Sequence, residues 1–275
     1  MIFEGEYKDN WRWNGKGKEY YDNYKLKFEG EYLNGLKWNG IIYSYDNNYL
    51  FKIKNGNGEV KEYNKKGKLI FEGIYINGEE NGKAIIYSYY SYGDNIKSEG
   101  ELLNGKKSGF WKEYENNKLK FEGEYLDGKR NGKGKEYYKD KLIFEGEYLN
   151  GEKHGKGMEY NSYNGNKDFE GEYLNGERNG FGKEYYNNKL IYEGEYLNER
   201  RHGNGKEYDS KGNLLFEGEY FNRKKWNGNV KEYSAKYVIT FEGKYSNGDR
   251  YGEGKEYDGN TKLLYEGNYL SGERH

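Results

Sequence analysis

The chain has 275 residues, with 46 Lys+Arg, 47 Asp+Glu, 42 Gly, 35 Tyr, no Pro and no Cys. Without cysteine there is no disulfide framework, thiolate metal site, iron–sulfur cluster or cysteine nucleophile. A net charge of -1 and a mean hydropathy of -1.34 offer no global field for nucleic acid and no transmembrane run, and Met1-Ile2-Phe3-Glu4-Gly5 lacks a signal-peptide layout, so the expected address is cytoplasmic.

Hydropathy this low usually marks disorder, because too little apolar surface is available to offset chain entropy. Here 19% of residues are aromatic, and tyrosine supplies large buried area behind a polar tip. The chain is therefore expected to fold. From the N-terminus a glycine following Glu recurs at Gly5, Gly30, Gly73, Gly100, Gly123, Gly146, Gly171, Gly194, Gly218, Gly243 and Gly267, at intervals of 25, 43, 27, 23, 23, 25, 23, 24, 25 and 24 residues. The interval of 43 hides a worn copy around Leu50–Gly58, so the region 46–63 reads as a degenerate unit. Residues 1–275 read as one repeat domain of about twelve units, mostly 23–25 residues long, the last truncated.

Each unit reads as a β-hairpin, and no window carries helical periodicity. Leu119 to Tyr125 alternates apolar or Gly with charge, Asp127-Gly128-Lys129-Arg130 supplies a turn, and Gly132 to Tyr138 returns. A turn centred on Gly128-Lys129 places Tyr125 opposite Gly132, Gly123 opposite Gly134 and Phe121 opposite Glu136 on one face. Glu124 then meets Lys133, and Glu122 meets Lys135, on the other. Tyr137 recurs in every returning strand, yet alternation sends it to the charged face. Either a bulge near Lys135-Glu136 turns it to the ring side, or both faces carry an aromatic row.

The pattern aromatic, any residue, Gly, any residue, aromatic, turn, Gly-x-Gly resembles the MORN repeat, over essentially the whole chain. Tyr usually stands where the family often has Trp. Ser98 and Leu102 replace both aromatics of one unit, and Ile42, Val60, Ala84, Trp111 and Val230 replace the second glycine. The link Lys183-Glu184-Tyr185-Tyr186-Asn187-Asn188-Lys189-Leu190 also resembles the bacterial antitoxin-like variant of the repeat. The resemblance implies an all-β fold, an elongated, twisted, single-layer antiparallel sheet of tandem hairpins, serving as a scaffold that grips partner helices or peptides or associates with acidic phospholipids. Roughly 23 strands at about 4.8 Å predict a sheet on the order of 100 Å.

No catalytic or metal-ligating constellation emerges, and no cofactor is expected. His154 and His202 occupy the same turn slot and, like His275, lack a second strong ligand. Glu122 and Glu124 recur with facing lysines in most units, as a structural ladder does. Gly132-Lys133-Gly134 opens a strand, whereas a phosphate loop opens a helix.

Two features point to partners. The ring row Phe121, Tyr125, Phe144, Tyr148, Phe169, Tyr173, Tyr192, Tyr196, Phe216 and Tyr220 is expected to pack on itself and also to line a groove for a protein segment. A turn slot counted back from the Gly-x-Gly is basic or Trp in most units: Trp13, Trp38, Lys107, Arg130, Lys153, Arg178, Arg201, Trp226 and Arg250, with Glu80 the exception. Its strongest stretches are Trp11-Arg12-Trp13 with Trp38, and Arg223-Lys224-Lys225-Trp226, a rim suited to acidic phospholipid or an acidic partner. The expected function is a non-enzymatic, protein-binding scaffold, with peripheral membrane attachment as the alternative. Unpaired strands at the two ends further predict homo-oligomers.

Overall fold

The computed structural model describes residues 2–89, 95–234 and 238–275, and the chain divides into two units, Met1–Asp140 and Lys141–His275. In the first unit, β1 (Ile2–Lys8), β2 (Trp11–Tyr20), β3 (Leu26–Leu33), β4 (Leu36–Tyr43) and β5 (Leu50–Ile53) form one antiparallel sheet in chain order. A second run follows: β6 (Gly58–Tyr63), β7 (Leu69–Ile76), β8 (Glu79–Tyr89), β9 (Asn95–Leu103), β10 (Lys106–Glu115), β11 (Lys118–Leu126) and β12 (Lys129–Tyr138). The second unit continues the motif with β13 (Lys141–Leu149), β14 (Glu152–Tyr160), β15 (Lys167–Leu174), β16 (Glu177–Tyr186), β17 (Lys189–Leu197) and β18 (Arg200–Tyr208). It ends with β19 (Leu214–Phe221), β20 (Lys224–Tyr233), β21 (Ile239–Ser246), β22 (Asp249–Tyr257), β23 (Leu263–Leu270) and β24 (Glu273–Arg274). The worn copy is the short hairpin β5–β6, closed by the bridge Lys54↔Asn57, and the sheet breaks there. The truncated last unit keeps a two-residue return, in which Arg274 pairs with Tyr269.

Turn chemistry sets the register. Asp127 (φ 50°) and Gly128 (φ 83°) are both left-handed, the requirement of a two-residue type I′ turn. The turn therefore centres one residue earlier than the spacing suggested. Tyr125 pairs with Arg130 instead of Gly132, and a bulge at Asn131–Lys133, with Gly132 at φ +99°, restores the expected pairs Gly123↔Gly134, Glu122↔Lys135 and Phe121↔Glu136.

The paired glycines exist because the ring lies on them. A Cβ on Gly123 would fall 2.8 Å from Phe121 Cζ and 2.6 Å from Gly134 Cα, closer than real Cβ contacts come. The hairpin β9–β10 solves the same problem from the other strand. Ser98 leaves the ring position empty, and the wholly buried Trp111 places its indole over Gly100. Its Nε1–H donates to the carbonyls of Glu101 (2.8 Å) and Ser108 (3.1 Å). Trp111 thus supplies a ring in the unit where Ser98 and Leu102 replace both aromatics.

A second bulge, between Glu184 and Tyr185 where β16 meets β17, settles the position of the Tyr137 row. Tyr185 Oη donates to Glu170 Oε1 (2.6 Å), Tyr208 to Glu193 (2.8 Å) and Tyr137 to Glu122 (2.7 Å), all carboxylates of the Glu–Lys face. Both faces thus carry an aromatic row, the second standing among the charges.

Candidate functional site

On the ring face the ten rings expected to line a groove are all at most 7% exposed. Phe144, Phe169 and Tyr192 are each wedged edge-on between the tyrosine of their own hairpin and that of the next. Tyr192 lies 5.6 Å from Tyr196 at 87° and 5.2 Å from Tyr220 at 87°, and Phe169 lies 5.7 Å from Tyr173 and 5.2 Å from Tyr196. This is the core that a single layer needs, and it buries all ten rings.

A cation covers the core. Opposite the tyrosine position stands Arg12, Lys37, Glu80, Lys107, Arg130, Lys153, Arg178, Arg201, Lys225, Arg250 or Arg274, basic in each of these eleven hairpins but the one with Glu80. Arg130 Cζ sits 3.8 Å from the Phe121 centroid, Arg201 Cζ 4.2 Å from Tyr192, and Arg250 Cζ 4.1 Å from Phe241. The same guanidinium bridges two carboxylates of successive hairpins. Arg130 reaches Glu136 (3.0 Å) and Glu113 (3.1 Å), and Arg201 reaches Glu207 (3.3 Å) and Glu184 (2.5 Å). Tyr196 Oη donates to Glu184 as well, at 2.5 Å.

Titration follows from this arrangement. Burial alone would raise the carboxyls of Glu113 and Glu184, but Lys107, Tyr125 and Arg130 around the first, and Arg201 and Tyr196 around the second, hold both below the ordinary 4.5. Burial pushes Tyr125 up to about 12. Glu80 is the exception in sign: burial, then neighbouring Glu62, raises it, while Lys37 pulls it down.

The rim changes membership. In β1–β2, β3–β4 and β19–β20 the bulge skips Trp13, Trp38 and Trp226, each an extra residue just after the basic slot. Counting back from the glycines shifted these hairpins by one, so the basic residues are Arg12, Lys37 and Lys225. The half-buried Trp13 carries Lys8 Nζ 4.4 Å from its ring centroid, and Trp226 lies 5.5 Å from Phe221. Arg12 pairs with Glu19 (3.4 Å) and Lys225 with Glu207 (3.1 Å). Trp11 (79% exposed), Arg223 and Lys224 remain open to solvent. Of the histidines, His154 stands opposite Glu147 in the β13–β14 register, and His202 lies 6.2 Å from Phe221.

Spacing did not single out the residue just before each turn. Leu33, Ile76, Leu103 and Leu126 in the first unit, and Leu149, Leu174, Leu197, Phe221 and Leu270 in the second, are all exposed, on the face opposite the rings. The signal was available, since each follows the buried tyrosine position directly. Two residues back on the same face, Glu147, Glu172, Glu195 and Glu219 form no ion pair among the described residues. Glu172 instead accepts from the Phe181 N–H (3.2 Å) and Glu219 from Asn227 (2.8 Å) at the bulge.

These features define a repeat protein built from β-hairpins, with its aromatic core closed under an Arg–Glu cover. The MORN repeat model matches residues 121–142, 144–164, 169–190 and 192–214, four consecutive hairpins, so the chain contains MORN repeats. MORN repeats are scaffolds for protein and membrane interaction, a non-enzymatic type. No curated protein matches the chain.

Proposed function

We propose that this protein is a non-enzymatic scaffold that holds a segment of another protein on the face opposite its rings. The row of exposed apolar residues before the turns carries the reading. A lone exposed leucine is ordinary, but one recurring at the same place in hairpin after hairpin makes a stripe. The ring row contributes rigidity, which limits the ordering cost of binding. Peripheral attachment to an anionic bilayer draws on fewer groups, because Arg12 and Lys225 are already engaged with Glu19 and Glu207.

Panning a random peptide display library on the whole chain tests this. The account expects enriched peptides whose binding is lost in a Leu149→Ser/Leu174→Ser/Leu197→Ser variant with unchanged melting. Failure to enrich any peptide, with flotation of the chain on phosphatidylserine vesicles, would replace the reading by the membrane alternative.

A further inference from the structure

Within the second unit, Leu174 (46% exposed), Phe181 (49%) and Leu197 (46%) stand on three successive strands of one face. Phe181 takes the middle place of a Gly-x-Gly where β12 and β14 carry Lys133 and Lys156. Its cross-strand partner is Glu195, which therefore faces a ring instead of an ammonium. Glu172 lies on its other side, bonded to the Phe181 N–H, and exposed Glu177 pairs with Leu174. Arg200, opposite Leu197, is the base at the turn, and Lys156 on β14 borders the patch. An apolar centre with carboxylates lacking ion pairs is complementary to cations carried beside apolar anchors.

Strands β15 to β18 are hydrogen-bonded to successive neighbours, so a segment crossing them meets no free backbone groups. A helix satisfies its own backbone and lays one apolar stripe on such a surface. One hairpin advances about 10 Å, two strands at about 4.8 Å, and seven helical residues span about 10.5 Å. We infer that this patch docks a basic amphipathic helix running across the hairpins, with apolar residues at heptad spacing against Leu174 and Leu197 and Lys or Arg against Glu172, Glu177 and Glu195. This rests on the scaffold reading and names the class of partner. The first unit repeats the apolar triad as Leu103, Phe110 and Leu126, but Lys106 and Lys129 stand opposite its leucines. It serves as an internal control for charge.

The probe is a dye-labelled synthetic helix of about three heptads with Leu at heptad spacing and Lys around it, titrated with the whole chain by fluorescence anisotropy. Expected are binding that weakens several-fold between about 50 and about 300 mM salt, and at least about tenfold weaker binding of a Glu-for-Lys probe. A Leu174→Ser/Phe181→Ser/Leu197→Ser variant with unchanged melting should lose about tenfold or more, and a Leu103→Ser/Phe110→Ser/Leu126→Ser variant much less. Equal affinity for the Lys and Glu probes, or full affinity in the second-unit variant, overturns the inference. Display peptides that bind while the Lys probe does not would remove the basic helix and leave the scaffold. Absence of binding by any peptide removes both.

Discussion

Trp111 and Ser98 form an exchange that can be reversed. Trp111→Gly removes a wholly buried indole. A buried Trp covers about 150–250 Å², which at about 25 cal/mol per Å² corresponds to about 4–6 kcal/mol as an upper bound. Core truncations of this size cost about 3–5 kcal/mol, and the carbonyls of Glu101 and Ser108 also lose their donor. Ser98→Phe alone meets the indole already over Gly100 and costs about 1–3 kcal/mol by overpacking. Together the two changes rebuild the Phe121, Gly123 and Gly134 arrangement, with Lys107 over the new ring as Arg130 is over Phe121. The coupling between them should be about 3 kcal/mol in the stabilising direction. Hydrogen exchange of peptides covering 95–126 in the whole chain reads this locally, as suits a repeat array that need not open as one unit. A double variant that opens as readily as Trp111→Gly alone refutes the ring-from-either-strand argument.

Glu80→Arg should stabilise β7–β8 by about 1 kcal/mol in a thermal or denaturant scan, by placing a cation over Phe71 beside Glu62 as in the other hairpins. Because Glu80 is raised in the fold, it binds its proton more tightly folded than unfolded, so Glu80→Gln should gain stability at neutral pH and lose that gain in acid. Glu113 and Glu184 run the other way. Held below 4.5, they contribute stability that is present above about pH 4.5 and disappears as pH falls through their lowered values, so Glu184→Gln should show a shallower acid loss than wild type. In a tyrosine absorbance titration, Tyr125→Phe should reduce the amplitude near pH 12 by one tyrosine's share.

The hairpin, the pairing of glycines and the burial of the rings were legible because each rests on short-range alternation and on what a ring needs beneath it. Three things were not. The basic slot was counted from the glycines, and the extra residues Trp13, Trp38 and Trp226 shifted three hairpins by one; only the pairing with the tyrosine position reveals Arg12, Lys37 and Lys225. Trp111 looked like a lost glycine, because its compensation for Ser98 is a cross-strand relation separated by the turn. The cover was hidden for the same reason: Arg201 bonds Glu184 from the preceding hairpin, a contact that no single unit displays. The ten rings pack on one another as expected, whereas the exposed row is visible only once the turns and bulges fix which face each residue before a turn takes.

The sharpest test uses two adjacent residues on opposite faces. Tyr173, 3% exposed, lies among Phe144 and Phe169, whereas Leu174 faces solvent beside Glu172 and Glu177. Melting and affinity for the basic helical probe are measured for Tyr173→Ala and Leu174→Ser at a temperature where both are folded. The account predicts that Tyr173→Ala loses about 3 kcal/mol of stability and keeps the probe, while Leu174→Ser melts as wild type does and binds the probe several-fold more weakly. Loss of the probe by folded Tyr173→Ala, with full binding by Leu174→Ser, would place recognition on the ring face and contradict the account.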